Sequence, residues 1–266
     1  MSSKIIWDAE DYENNSSNQK QWADEIISKL NFKGNETILD IGCGDGKNTA
    51  RIAREVAHGK VIGIDSSEKM LVLARERYLK DQYSNLEFQY GDASRLNYFE
   101  EFDIAVSFAC LHWVNDHLQV LNGIRNSLKI GGRTYLQFGG KGNAAPMFEI
   151  ANDMMADNRW EDYFTDFKFP YSFYHPDEYL PWVEKAGLNI KRLELIPKTA
   201  RQSNKKGLKG WVRTTWIPYL ERIPAELHDE FLDELTDKYL ESYPPDENGA
   251  ITVPMMRLEV EAEREK

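Results

Sequence analysis

Two rhythms of apolar positions alternate along the first half of the chain. Short apolar runs at 37–41, 60–65, 85–92, 102–109 and 133–139 read as buried strands. Between them the spacing changes to that of a helix. Residues 47–57 place Ile52, Ala53, Val56 and Ala57 on one face. The stretch 66–82 opens on serine and glutamate, a helix-start signal, and spaces Met70, Leu73, Ala74 and Arg77 helically. Residues 116–128 form a third amphipathic stretch, closed by Gly131 and Gly132. Strands joined by helical crossovers predict a parallel sheet covered on both faces.

The second half has a different pattern. Residues 175–188 read as a helix ending at Gly187, and 189–196 as a strand. From 199 to 245 the pattern is helical, with Leu227, Phe231, Leu235 and Tyr239 as its stripe. Residues 250–264 alternate as a final strand, in which Pro254 marks a start or a bulge, since proline cannot donate to a ladder. The fold expected is therefore α/β: a doubly wound, mostly parallel seven-stranded sheet with a helical insertion before the last strand. Residues 1–266 read as a single domain, with 1–30 as an N-terminal cap segment and 199–245 as a helical lid.

Composition narrows the class. The chain has 266 residues, 41% hydrophobic and 29% charged, as expected of a soluble globular protein. Its net charge of -11 argues against a general nucleic-acid binder. Cys43 and Cys110 lack zinc-finger spacing, no metal site is read, and a reducing cytoplasm is the expected location. The opening "MSSKIIWDAEDYENN" holds no long apolar core, and no window approaches the ~18 to 20 apolar residues of a membrane span. A monomer without membrane or nucleic-acid partners is expected.

The chemistry starts at "ILDIGCGDG", residues 38–46, where the first strand meets Gly42, Gly44 and Gly46. Glycine permits positive φ and close ligand approach, and the helix that follows offers free amides. Nicotinamide-binding turns require G-x-G-x-x-G, but the last glycine position is here Lys47. Asp40 at the strand end would repel a pyrophosphate and attract a cationic amino-acid group. S-adenosylmethionine has such a group and no phosphate. Asp65 ends the second strand, where a carboxylate can accept both ribose hydroxyls. Asp92, after the third, can accept from the adenine amino group. Taken singly, each acid reads equally well as a solvated strand-end residue.

"ILDIGCGDG", "VIGIDSSEKML", "YGDA" and "SLKIGGRTYL" resemble the successive motifs of class I S-adenosylmethionine-dependent methyltransferases, with their Rossmann-like fold. The resemblance implies that Asp40, Gly42, Cys43, Gly44 and Gly46 hold the methionine part. It implies Asp65 and Ser66 at the ribose, and Met70, Asp92 and Ala93 at the adenine. Tyr12 and Phe108 complete the implied cofactor set, with Ser16 beside Tyr12 closing the N-terminal segment. Cys43 also reads simply as a small filler.

Three further stretches, 7–22, 107–114 and 210–264, are similar to the trans-aconitate methyltransferases. The first two are also similar to the juvenile hormone acid methyltransferases. Both groups esterify a carboxylate, so a small-molecule acid is the implied substrate. An ionised carboxylate needs no general base; alignment and desolvation supply much of the rate. Gln19 and Trp113 are implied to hold the acceptor oxygen, since an amide and an indole N–H can both donate. Core packing for Trp113 and an exposed helix position for Gln19 stand as the alternatives. His112 reads either as a base for a phenol or amine acceptor or as a structural or cofactor-adjacent residue.

Six basic residues and no acid fall between Lys198 and Arg213, an anomaly in an acidic chain. They make either a solvated loop or an attractor for an anionic acceptor. Arg213 lies between Trp211 and Trp216 in sequence, and Trp211, Arg213, Arg257 and Tyr174 complete the candidate acceptor set. Arg257 alternatively pairs at a surface with Glu259 or Glu194. The aromatics from Phe164 to Tyr174 read as an apolar acceptor wall or as packing. Methylation of a different atom, and cofactor binding without catalysis, remain the competing functions.

Overall fold

The alternating rhythms become a seven-stranded sheet in the structure, a computed structural model that describes residues 17–265. In chain order the strands are β1 (Thr37–Ile41), β2 (Lys60–Asp65), β3 (Leu86–Tyr90), β4 (Phe102–Phe108), β5 (Leu128–Gly139), β6 (Asn189–Gln202) and β7 (Ile251–Glu263). The helices are α1 (Ser17–Ile27), α2 (Lys47–Glu55), α3 (Glu68–Arg77), α4 (His117–Ser127), α5 (Ala145–Met155), α6 (Pro176–Lys185), α7 (Lys205–Thr215), α8 (Ile217–Leu220) and α9 (His228–Ser242).

The strand order is β3-β2-β1-β4-β5-β7-β6. Strands β1 to β5 pair in parallel, and β7 runs antiparallel to β5. The order reverses between β1 and β4, so a crevice opens outside their carboxyl ends, where such sheets bind ligands. The expected fold class is found.

Alternation along the strands builds the two apolar layers. Ile38, Val61, Ile104 and Val106 face one layer with Ala23, Ile26 and Ile27 of α1, Ile52 and Ala53 of α2, and Leu71 and Ala74 of α3. Leu39, Ile41, Ile62, Ile64 and Ala105 face the other with Val120, Leu121 and Ile124 of α4 and Tyr179 and Val183 of α6. Side-chain caps set several helix starts. Ser67 accepts from the Met70 amide, Asp116 from Gln119 at 3.0 Å, and His175 and Glu178 form a capping box at α6.

The chain divides into two compact units. The sheet unit comprises 19–141, 171–196 and 257–266; the helical unit comprises 142–170 and 197–256 with the chain up to Asn18. In the helical unit Phe148 stacks on Trp216 at 4.2 Å between ring centres, and Trp160 meets Phe231 edge-on. The Trp160 indole N–H donates to Glu234 at 2.9 Å. Phe231, Leu235 and Tyr239 of the expected stripe are buried, while Leu227 precedes α9 in a short 3-10 turn.

Several boundaries differ from the sequence reading: β5 begins at Leu128, not 133, and the helices expected from 199 begin at Lys205. Strand β6 continues to Gln202, six residues past the expected end. Helix α5 was not foreseen, although Pro146 in its first turn and buried Met147, Phe148, Ala151 and Met154 carry a helix signature. Pro254 lies in β7 but ahead of the residues that pair with β5, which begin at Arg257, so its missing N–H costs that ladder nothing.

Candidate active site

The site is built where β1 runs out. Gly42, Gly44 and Gly46 take φ of 74°, 56° and 80°, conformations that other residues adopt only with strain. The amides of Gly42 and Cys43 both donate to the Ile64 carbonyl, at 2.8 and 2.9 Å, which ties the turn to β2. A Cβ on Gly42 would overlap the Cys110 thiol, and one on Gly46 would overlap Phe88. A Cβ on Gly44 would meet nothing within 4 Å. Two glycines are therefore required by packing. The third leaves open space at the carboxyl edge.

Three carboxylates stand at the ends of successive strands. Asp40 is buried and accepts from the Thr49 hydroxyl at 2.7 Å. Burial pushes its carboxyl up to about 7 against the pull of that hydrogen bond, with the Asp65 charge adding to the rise. Asp65 accepts the Gly44 amide at 2.9 Å and the Ser67 amide at 2.8 Å. Burial raises it as well, and these amides oppose the rise. Asp92 accepts from the amide and hydroxyl of Ser94, at 2.8 and 2.7 Å. None of the three makes an ion pair among the described residues.

Around this edge Met70, Ala93, Phe108 and Cys43 are buried and Ser66 is exposed. Burial, with the Asp65 and Asp40 charges, pushes the Cys110 thiol up to about 12, and Cys43 is likewise raised. Both thiols are free and neutral. Lys47 and Arg77 are held by Asp45, at 3.6 and 3.7 Å, so a negative, partly desolvated edge with Asp40, Asp65 and Asp92 unpaired by a cation among the described residues fits a ligand with a cationic end and hydroxyl donors. Tyr12 and Ser16 lie outside the described residues.

Beyond β4, Ala109 turns the chain with φ 55°, and Leu111–Trp113 form a 3-10 turn. His112 Nδ1 accepts the Gly139 amide at 3.3 Å, and its own carbonyl accepts from Ser172 at 2.9 Å. Burial, then the Arg257 and His117 charges, hold its pKa well below the ordinary histidine value. Trp113 is half-buried against the edge of Tyr171, 4.9 Å between ring centres. Gln19 is half-buried, and its Oε1 is enclosed without a hydrogen-bond partner. The alternative of an exposed helix position for Gln19 does not hold.

Arg257 is 3% exposed and lies over the Trp22 ring at 5.2 Å. Its expected surface pairing is replaced. Glu259 takes Gln137 at 2.8 Å and Arg192 at 2.7 Å, and Glu194 takes Arg192 at 3.1 Å. Tyr174 belongs to an aromatic group with His117 and Trp182, at 4.9 and 4.8 Å. Trp211 is buried and Arg213 exposed on α7, both in the helical unit.

The aromatic stretch is divided between the units. Phe164 and Phe167 pack on Tyr219, whereas Tyr171 stacks on Phe173. Three of the six residues of the basic run are met by acids of their own unit. Lys205 meets Asp233 and Asp237, Lys209 meets Asp229 and Asp233, and Arg201 meets Asp246.

Thr49, Cys110, Gly139 and Trp22 shape the site and escaped the sequence reading. Thr49 was signalled by its place in the first turn after the glycines. Nothing in the sequence pairs Trp22 with Arg257.

A family model described as a methyltransferase domain matches residues 32–187, more than half of the chain. The chain belongs to the methyltransferase-domain family. The methyltransferase is 28% identical over 228 residues to juvenile hormone acid O-methyltransferase of Drosophila melanogaster, covering 80% of this chain and 75% of that one. It is 26% identical over 264 residues to trans-aconitate 2-methyltransferase of Methylobacterium nodulans, covering 97% and 98%. Among solved structures it resembles phosphoethanolamine N-methyltransferase 2 of Haemonchus contortus, with a TM-score of 0.61 and 17% identity. That match covers 97% of this chain and 57% of that one, and shows the shared fold. Among the described residues no helix is long and apolar enough to cross a membrane.

Proposed function

We propose that this methyltransferase esterifies a carboxylate of a small organic acid, with S-adenosylmethionine as the methyl donor. The observation that carries the acceptor is the similarity, over 97% of the chain, to an enzyme named for trans-aconitate. A second relative, over 80% of the chain, is named for another acid.

The residues at the strand ends fit the donor. Asp40 would meet the ammonium of the methionine part, over the turn of Gly42, Cys43, Gly44 and Gly46. Asp65 and Ser66 would meet the ribose, and Met70, Asp92, Ala93 and Phe108 the adenine. When bound, S-adenosylmethionine supplies an electrophilic methyl group on a sulfonium. The chain's own task is then to hold the acceptor oxygen in line and to exclude water. Gln19 and Trp113 are the residues we assign to that oxygen, with Arg257 assigned to a second carboxylate.

Incubation with methyl-labelled S-adenosylmethionine and a panel of organic acids, trans-aconitate included, tests the reading. The expected product carries label that mild base releases as methanol. Label that resists base would overturn the carboxylate acceptor. The absence of any transfer across the panel would do the same.

A further inference from the structure

His112 is fixed from three sides. Its carbonyl accepts the Ser172 amide, the Trp113 amide closes the 3-10 turn on Cys110 at 2.9 Å, and the Gly139 amide donates to its Nδ1. A ring nitrogen that accepts an N–H must present its lone pair, so the neutral ring carries its proton on Nε2. Among the described residues Nε2 has no hydrogen-bond partner, and it is not sealed from solvent.

The electrical surroundings oppose a proton acceptor. Among the described residues the groups that act on His112 are the Arg257 guanidinium from β7 and His117 from α4, and neither is an acid. His117 is itself held neutral, its pKa lowered to about 4 mainly by burial. From the 171–174 segment the facing group is Tyr171, an aromatic neighbour at 6.4 Å. A histidine base commonly donates its other ring N–H to a carboxylate or a carbonyl, which stabilises the imidazolium, whereas Nδ1 of His112 accepts. Here an imidazolium would form beside a buried guanidinium. The Nε2–H of His112, the indole N–H of Trp113 and the guanidinium of Arg257 all donate and none accepts. A donor-only group of this kind suits an oxygen anion.

We infer that His112 acts as a fixed donor, through Nε2–H, to an anionic oxygen of the methyl acceptor, and takes no proton during the reaction. The inference rests on methyl transfer to oxygen as proposed above, and it narrows the acceptor to acids already ionised when they bind. The balance needs no base. A lone pair of the anionic oxygen forms the O–C bond, the electrons of the broken C–S bond remain on sulfur, and no proton is released. Phenols and amines, which must lose a proton, are excluded as efficient acceptors.

Nitrogen-15 NMR of the His112 ring in the full-length enzyme tests the tautomer without relying on turnover. The expected spectrum is the Nε2–H tautomer, unchanged from pH 5.5 to 9. An Nδ1–H tautomer, or titration near neutrality, overturns the inference and leaves the carboxylate reading intact. Rates on whichever acid gives the base-labile product supply the second arm. His112→Gln keeps an N–H donor and removes any base, so kcat/KM should stay within about 3-fold, whereas His112→Ala should lose about 10- to 100-fold, the range of one hydrogen bond to a charged group.

Equal loss in both variants, or a wild-type rate that at saturating S-adenosylmethionine falls below pH 6.5 as a histidine protonates, overturns the donor role. If His112→Ala fails to fold, the glutamine variant and the spectrum still decide. A base-stable product with the Nε2–H tautomer in place overturns the anionic acceptor and leaves methyl transfer standing.

Discussion

Two charged regions stand out in the sequence, and the structure treats them in opposite ways. Asp40 and Asp65, at strand ends of the sheet unit, are desolvated and have no cationic partner among the described residues. The basic run of the helical unit is exposed for the most part, and Arg201, Lys205 and Lys209 are met by acids of the same unit, chiefly those of α9. Net charge over a window distinguishes neither. What distinguishes them is whether the fold supplies the counter-charge. Holding a carboxyl in a low-dielectric place raises its free energy, and a fold retains such a group when something outside the chain stabilises it. A lysine bridged to two aspartates on its own surface is already satisfied.

The sharpest way to break the first half of this comparison is at the turn itself. Gly42→Ala combines a left-handed residue with overlap on Cys110 and should cost about 3–5 kcal/mol of stability, read as a fall in Tm. Gly44→Ala meets no atom and should cost about 1–2 kcal/mol from its backbone alone. It should nevertheless weaken S-adenosylmethionine binding, because its methyl projects into the open edge. Equal stability losses in the two variants would show that the space beside Gly44 is not kept for a ligand.

Asp65 comes next. Asp65→Ala removes an acceptor from the proposed ribose site and leaves the Gly44 and Ser67 amides without their partner. Affinity for S-adenosylmethionine should fall about 100-fold by calorimetry, the scale of two hydrogen bonds to a charged group. A change below about 3-fold, well under one such bond, would remove Asp65 from the site.

Asp40 gives a smaller effect with a sign. Its folded pKa, about 7, lies above the ordinary aspartate value of 3.8 that holds in the unfolded chain. The unfolded state therefore releases this proton first, and the ligand-free protein loses stability as pH rises through that interval. Binding a cation favours the carboxylate. Affinity should thus drop about tenfold per unit as pH falls below 7. Asp40→Asn should flatten both trends. A wild-type affinity independent of pH between 5.5 and 7.5 would mean that Asp40 does not meet the cation.

The cofactor edge was legible in the sequence because local pattern encodes it. A strand, a glycine turn and a terminal acid are neighbours in the chain, and parallel pairing brings β1, β2 and β3 to one edge in register. Asp40, Asp65 and Asp92 could therefore be placed together without a structure. The candidate acceptor side was far less legible, because its contacts join distant segments. Arg257 over Trp22, Gly139 on His112 and the withdrawal of Glu259 to Arg192 have no local signature. Helix α5 escaped for another reason. Gly140, Gly142 and Pro146 punctuate its approach like a loop, and they drew attention from the buried spacing behind them.

The smallest expected effect tests the other half of the comparison. If the basic run were an attractor for anionic substrates, removing two of its charges would raise KM, more steeply at low salt. If it is already neutralised, the same change touches only the fold. Lys205→Ala with Lys209→Ala breaks four ion pairs between 2.6 and 3.8 Å with Asp229, Asp233 and Asp237. These pairs are largely exposed, so their loss should cost about 1 kcal/mol or less. The KM for the acid acceptor should change by less than about 2-fold at both low and high salt, as expected of charges already met by acids and screened by salt. A several-fold rise in KM that salt abolishes would show that these lysines act on the substrate despite their aspartates. Pairing within the fold would then be no guide to which charges a ligand feels.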